Sequence, residues 1–186
     1  MKTYHFKYGS GGVDLTLPET GRIEALKGDV QPAIGDIGAA LGDALANPVS
    51  GPALQEFLCP SDMVTLIVSD MSRFWMRQDL VIPHLVSYIR EQCGVALKNL
   101  VILVANGTHI GGDEAELRTL VTDAVYDAVR VVNHDCLADD LVPIGTTSRG
   151  TRVEVNPLAV GRKVIALGAA TQHVMAGYGG GRKSIL

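Results

Sequence analysis

The chain has 186 residues, with 16 basic and 20 acidic side chains for a formal charge of −4, three cysteines and 47% hydrophobic residues, the profile of one soluble globular domain. At that length roughly 70% of the unfolded surface is buried on folding, so a core forms without disulfides or a structural metal. No Lys/Arg run exceeds a pair, which excludes a nucleic-acid partner; no apolar stretch nears the roughly 20 residues of a membrane helix, which excludes a membrane-spanning role; and the odd, scattered cysteines behind a polar N-terminus lead us to expect a cytoplasmic protein with reduced thiols.

The first 20 residues alternate polar and apolar around Gly9-Ser10-Gly11-Gly12, which predicts a β-hairpin. Residues 30–60 carry Pro32, Pro48, Pro52 and Pro60; within them Ile34, Ile37, Leu41 and Leu45 repeat at helical spacing, and the helix should end near Asn47, before Pro48. Residues 1–60 thus read as a hairpin and a Pro/Gly-rich lead-in, and residues 61–186 as an α/β core within one domain. Met63–Val68 and Leu100–Val104 lack polar alternation, as strands buried on both faces do. Between them Leu85, Val86, Ile89 and Cys93 mark a helix from about Pro83, a good first helical residue, to Gly94, a good C′ residue. A second helix is predicted over Asp113–Tyr126, then strands at Val129–Asn133, Arg152–Val155 and Lys163–Leu167. The fold class is therefore an open, mostly parallel Rossmann-like α/β sheet with flanking helices. Its ligands bind beyond the carboxyl ends of the strands.

Polar residues gather at those ends: Ser69-Asp70-Met71-Ser72-Arg73, Asn106-Gly107-Thr108-His109 and Thr171-Gln172-His173. Asp70 alone could be an ordinary helix N-cap. His109 and His173 lie beside threonine or glutamine rather than in an apolar stripe, and two imidazoles facing one pocket supply a general acid and a general base near neutral pH. Gly177-Tyr178-Gly179-Gly180-Gly181-Arg182-Lys183-Ser184 combines backbone N–H groups free to converge on an anion with two cations, which suits a phosphate cradle. It fails the P-loop and dinucleotide patterns, because Arg182 stands where each needs glycine. By composition it could also be a plain surface loop. Asn133-His134-Asp135-Cys136 has no second ligand pair to complete a metal site, so His134 reads as a turn residue. Phe74-Trp75-Met76 could line a pocket mouth, though core packing is the commoner fate of such a run.

Asp70-x-Ser72-Arg73, Gly107-Thr108-His109 and His173-x-Met175-x-Gly177-Tyr178-Gly179-Gly180-Gly181-Arg182-Lys183-Ser184 resemble, in order, the motifs of the N-terminal domain of the nickel-dependent lactate racemase family, once a family of unknown function. The resemblance implies an isomerase that racemises or epimerises a 2-hydroxy acid with a nickel pincer nucleotide (pyridinium-3,5-bisthiocarboxylic acid mononucleotide). It implies that Lys183 carries this cofactor through a thioamide and that His109 and His173 are the catalytic acid/base pair, one taking the hydroxyl proton while the α-hydrogen leaves as hydride to the pyridinium ring. Asp70, Ser72, Gly177, Gly179, Gly180, Gly181, Arg182 and Ser184 would bind the cofactor; Arg73, Thr108 and Tyr178 would face the substrate.

Family members commonly have Thr, Arg and Pro after the aspartate, where this chain has Ser72, Arg73 and Phe74, so its 2-hydroxy acid need not be lactate. In the family the nickel-ligating histidine and a second, C-terminal domain lie beyond the position of Leu186. We therefore expect no metal ligand within the chain, a longer parent protein that could be a homo-oligomer, and no turnover by these residues alone. The competing expectation is a phosphate- or nucleotide-binding module without catalysis.

Overall fold

The alternating start of the chain folds as expected. In the computed structural model, which describes residues 1–26 and 31–185, β1 (Lys2–Tyr8) pairs antiparallel with β2 (Gly11–Leu17) across a two-residue Gly9-Ser10 turn. This hairpin lies in one compact unit, Met1–Ala33; the remainder, Ile34–Leu186, forms a second.

In the second unit α1 (Ile37–Ala46) begins where the Asp36 side chain accepts the Ala39 N–H at 2.9 Å, and ends at Asn47, before Pro48. Ile34, expected on its apolar face, precedes the cap and is exposed. Leu41 and Leu45, with Leu54 and Phe57 of the short α2 (Leu54–Phe57), pack against the main core. Residues 34–60, read from sequence as part of a lead-in, thus belong to the α/β unit.

The two apolar runs become β3 (Val64–Ser69) and β4 (Leu100–Ala105), paired in parallel and buried along nearly their whole length. α3 (Ile82–Glu91) connects them, with Pro83 in its first turn and Ile82, Leu85 and Ile89 in the core. The helix is capped at Gln92, so Gly94, with φ +72°, turns the chain one residue later than the expected C′ position, and the Val95 N–H reaches back to the Ile89 carbonyl at 3.2 Å. The second expected helix is two: α4 (Glu114–Val121), opened by an Asp113/Glu116 capping box, and α5 (Asp123–Ala128). The break is at Thr122, φ +76°. Arg118 spans it, paired with Glu114 before and with Asp123 and Asp127 after.

β5 (Arg130–Asn133) extends the sheet beside β4. The segment Arg152–Val155 is a strand, β7, but not of this sheet: it pairs antiparallel with β6 (Val142–Thr146) in a separate ribbon. β6 contains Pro143 and Gly145, both poor strand residues, with a register shift between them. β7 alternates exposed and inward positions, as a ribbon with one wet face does and a doubly buried strand does not. β8 (Lys163–Ala166) then returns to the parallel sheet on the far side of β3, giving the order β5-β4-β3-β8. The strand order reverses between β3 and β8, which puts the switch-point crevice at their carboxyl ends.

Arg162 fastens the opposite edge of this sheet. Its Nε donates to Thr65 Oγ1 at 2.8 Å, and its Nη2 donates to the carbonyls of Val64 at 2.8 Å and Asn99 at 2.9 Å. Thr65 Oγ1 in turn donates to the Leu158 carbonyl at 2.6 Å. Burial, with Arg130 nearby, pulls the Arg162 pKa down, so these bonds are made by a partly desolvated cation. Arg162→Met keeps the aliphatic stem and removes the donors; we expect it to cost about 3 kcal/mol, read as a lower urea midpoint with an unchanged slope.

Candidate active site at the strand ends

A cleft of roughly 1010 Å³ opens at the carboxyl ends of β3, β4 and β8, where the topology places it. Its β3 wall is held by Gln78, 2% exposed, whose amide accepts the Ser69 N–H at 3.2 Å and donates to the Ser69 carbonyl at 2.6 Å. This side chain takes the place of a strand neighbour at the last residue of β3, so the chain leaves for the site from a fixed point.

Asp70, the next residue, stands before a 3₁₀ segment, Met71–Met76, yet its side chain caps nothing. It is 8% exposed. Its Oδ2 accepts the Nδ1–H of His109 at 2.5 Å and its Oδ1 accepts the Ser72 hydroxyl at 2.7 Å, while Arg73 Nη1 donates to Ser72 Oγ at 3.0 Å. A carboxylate only accepts, so Nδ1 of His109 carries a proton, and in the neutral ring Nε2 is the acceptor. His109 is set by a turn after β4, its N–H donating to the Asn106 carbonyl at 2.9 Å. Its side chain is about half exposed, at 53%, beside a nearly buried partner.

His173 is held in the other state. It ends β9 (Gln172–His173), which pairs with β10 (Gly177–Tyr178), and its Nδ1 accepts the backbone N–H groups of Met175 at 3.3 Å and Ala176 at 3.2 Å. An Nδ1 that accepts is unprotonated, so the neutral ring carries its proton on Nε2. Both histidines line the cleft. One has a ring nitrogen free to take a proton and the other a ring nitrogen that gives one.

The glycine run closes the floor. Gly179 N–H donates to the Thr171 carbonyl at 2.7 Å, and a 3₁₀ turn, Gly181–Ser184, carries Lys183 to the cleft. At Gly180, with φ +71°, a Cβ would sit 2.8 Å from the Ala169 carbonyl oxygen. The chain can pass there only without a side chain.

The structure thus gathers Asp70, Arg73, Thr108, His109, His173, Gly179, Gly180, Lys183 and Ser184 around one cavity. It does not gather all the residues read from sequence: Gly177, Tyr178, Gly181 and Arg182 stand outside the lining, and Ser72 lies behind Asp70, in contact with it. Tyr178 is 65% exposed. The cleft also holds a residue that the sequence reading placed elsewhere and a run for which it left two fates open. His134, read as a turn residue, lines the wall, its Nδ1 accepting from Asn156 Nδ2 at 3.3 Å, while Asn156 Oδ1 accepts the Leu158 N–H at 3.0 Å. Trp75 is 61% exposed and lines the cleft with Met76, and only Phe74 of that run packs on the core. The available signal for His134 was its position directly after a strand of the parallel sheet.

Among the described residues no three His, Cys, Asp or Glu side chains form a group fit to hold a metal, and no helix is long and apolar enough to cross a membrane. The nickel ligand expected beyond Leu186 falls outside the described residues.

A parallel sheet with two oppositely held imidazoles and a glycine-cradled lysine at its switch point defines an α/β ligand-binding domain equipped for proton transfer. The model of the lactate racemase N-terminal domain family matches residues 8–186, and the chain belongs to that family. It is similar to the lactate racemase of Thermoanaerobacterium thermosaccharolyticum, at 28% identity over all of this chain and 44% of the relative. It is also similar to that of Lactiplantibacillus plantarum, at 28% identity over 77% of this chain and 34% of the relative. The solved lactate racemase apoprotein from T. thermosaccharolyticum superposes with a TM-score of 0.83 at 27% identity, covering 99% of this chain and 43% of that one. The chain therefore spans less than half the length of the relatives it matches.

Proposed function

We propose that this chain is the cofactor- and substrate-binding N-terminal domain of a racemase or epimerase of a small 2-hydroxy acid, completed by a C-terminal domain of the same protein. The observation that carries the reading is the pairing, in one cleft, of His109, whose Nδ1 is held by the Asp70 carboxylate, with His173, whose Nδ1 accepts two backbone N–H groups, so that the neutral rings present opposite Nε2 states. Inversion of a carbinol centre through a keto acid needs a hydroxyl proton removed and a proton returned, and the two rings supply one state each. Asp70 holds the His109 ring in its tautomer and faces the imidazolium that forms. Arg73, tied to Ser72 and lining the cleft, presents a planar fork to a substrate carboxylate, and Thr108 lines the same cleft.

The nickel pincer nucleotide suits the residues present. The cradle at Gly180 admits backbone where a Cβ would strike Ala169, Lys183 and Ser184 lie within reach of the same cavity, and its volume of roughly 1010 Å³ is of the size that holds a nucleotide and a small acid together. Lys183 would carry the group as a thioamide, and the backbone N–H of Gly180 with the Ser184 hydroxyl would receive its phosphate, the Gly179 N–H being taken by the Thr171 carbonyl. When bound, the group supplies the acceptor for the hydride that leaves the α-carbon. We place the protein in the cytoplasm, where its three free cysteines stay reduced.

Intact-protein mass spectrometry of the full-length protein, made together with the enzymes that build the cofactor, tests this. A mass increase that disappears in Lys183→Ala is expected. No adduct, with those enzymes demonstrably working, refutes the racemase reading and leaves the glycine loop as a simple phosphate site.

A further inference from the structure

Of the side-chain amides near the carboxyl ends of the sheet, Gln78 and Asn133 have both ends bonded. Gln78 bonds the N–H and carbonyl of Ser69, and Asn133 bonds the N–H and carbonyl of Gly112 at 3.3 and 2.7 Å. Asn106 differs: it is 3% exposed, yet neither its Oδ1 nor its Nδ2 has a hydrogen-bond partner among the described residues. Its backbone is satisfied without the side chain, the N–H bonding the Val104 carbonyl at 3.0 Å and the carbonyl taking the His109 N–H at 2.9 Å. The turn therefore does not need this amide. Burying one with both ends unpaired opposes folding, and native proteins keep few such groups. Asn106 lines the cleft in company with Asp70, Thr108 and His109, and a smaller hollow of roughly 360 Å³ shares Asp70, Asn106 and His109 with it, so the missing partner is to be sought in what these adjoining spaces hold.

We propose that Asn106 is a substrate-anchoring residue whose amide binds the hydroxyl-and-carboxylate edge of the 2-hydroxy acid, an inference that rests on the racemase reading. A planar amide offers a donor and an acceptor side by side. A 2-hydroxy acid offers the complement, a carboxylate oxygen to accept from Nδ2–H and a hydroxyl to donate to Oδ1. A 2-keto acid has no hydroxyl and leaves Oδ1 unpaired, so the same residue distinguishes the reduced ligand from the oxidised one. At transfer the hydroxyl hydrogen turns from Asn106 Oδ1 to His109 Nε2, which makes the anchor a contact of the bound ground state. Asn106 thereby accounts for a cost in the unliganded fold that neither the turn nor the Asp70–His109 pair explains.

The experiment is calorimetric titration of the cofactor-free full-length protein with L-lactate, D-lactate and pyruvate, comparing wild type with Asn106→Leu, Asn106→Asp and Arg73→Ala, alongside thermal melts without ligand. We expect both Asn106 variants to bind lactate at least tenfold more weakly, with a smaller change for pyruvate, and Asn106→Leu to melt no lower than wild type because it removes an unpaired amide. Unchanged lactate affinity in both Asn106 variants, with binding lost in Arg73→Ala, overturns the anchor and leaves the racemase reading standing. Asn106→Leu melting well below wild type while keeping its lactate affinity also overturns it, by making the amide a structural group. Failure of the wild type to bind any 2-hydroxy acid overturns the anchor together with the reading beneath it.

Discussion

Under the proposed chemistry, Asp70→Asn in the full-length protein is expected to lower racemisation by about 10³- to 10⁴-fold, the scale on which a histidine loses activity when its orienting carboxylate becomes an amide. The hydrogen-bond chain gives the reason. Ser72 donates its hydroxyl to one oxygen of Asp70 and His109 donates Nδ1–H to the other. An asparagine has one acceptor and one donor end. Ser72, itself receiving Arg73 Nη1, keeps the acceptor end, so the amide N–H₂ turns toward His109. Nδ1 must then accept, and the ring proton moves to Nε2. The variant would hold two histidines in the same state, both able to give a proton and neither ready to take one. Substrate affinity should change little, because Arg73 is untouched. Racemisation assays from each enantiomer, with ¹⁵N shifts to read the His109 tautomer, decide the matter; wild-type rates with an Nε2–H ring would show that the tautomer does not matter.

The legible parts of the chain were those whose physics is local. Alternation marked the β1–β2 hairpin, doubly apolar runs marked β3 and β4, and Pro83 and Gly94 bounded α3, because pattern and terminal chemistry there agree with the tertiary fold. The break at Thr122 was hidden because one residue in a left-handed conformation leaves the apolar spacing on either side intact. β6 was hidden because Pro143 and Gly145 argue against a strand, and its pairing with β7 is decided by a long-range partner. In the site, His109, His173 and Lys183 could be picked out by residue type and position. Their opposite ring states could not, since these depend on contacts with Asp70, 39 residues away in sequence, and on a three-residue turn that points two N–H groups inward. Asn106 was invisible for a similar reason. An asparagine after a strand looks like any turn residue until its amide is found buried without partners.

Gly180→Ala is expected to have the second large effect, and to exert it through the backbone. Gly180 has φ +71° and ψ −174°, a region essentially reserved for glycine, where another residue costs about 1–3 kcal/mol. The methyl group would also lie 2.8 Å from the Ala169 oxygen and 3.2 Å from its carbon. Both are main-chain atoms of the segment that follows β8, so neither can swing aside as a side chain would. Relief requires the Gly179–Ser184 segment to lift away from the strand end. That segment carries Lys183, whose N–H bonds the Gly180 carbonyl at 3.2 Å. A displacement of about 1 Å at a reacting group costs on the order of 10²-fold in rate, so cofactor attachment and racemisation should both fall by about that factor. Gly181→Ala is the control. It also has positive φ, at +53°, but open space around a Cβ, and it lies in the region that L residues can enter, so its loss should stay within about tenfold. The parallel sheet is complete before this loop begins, and neither variant should lower the melting temperature by more than a few degrees. Equal losses in the two variants would assign the effect to backbone conformation alone and remove the close approach to Ala169 as its cause.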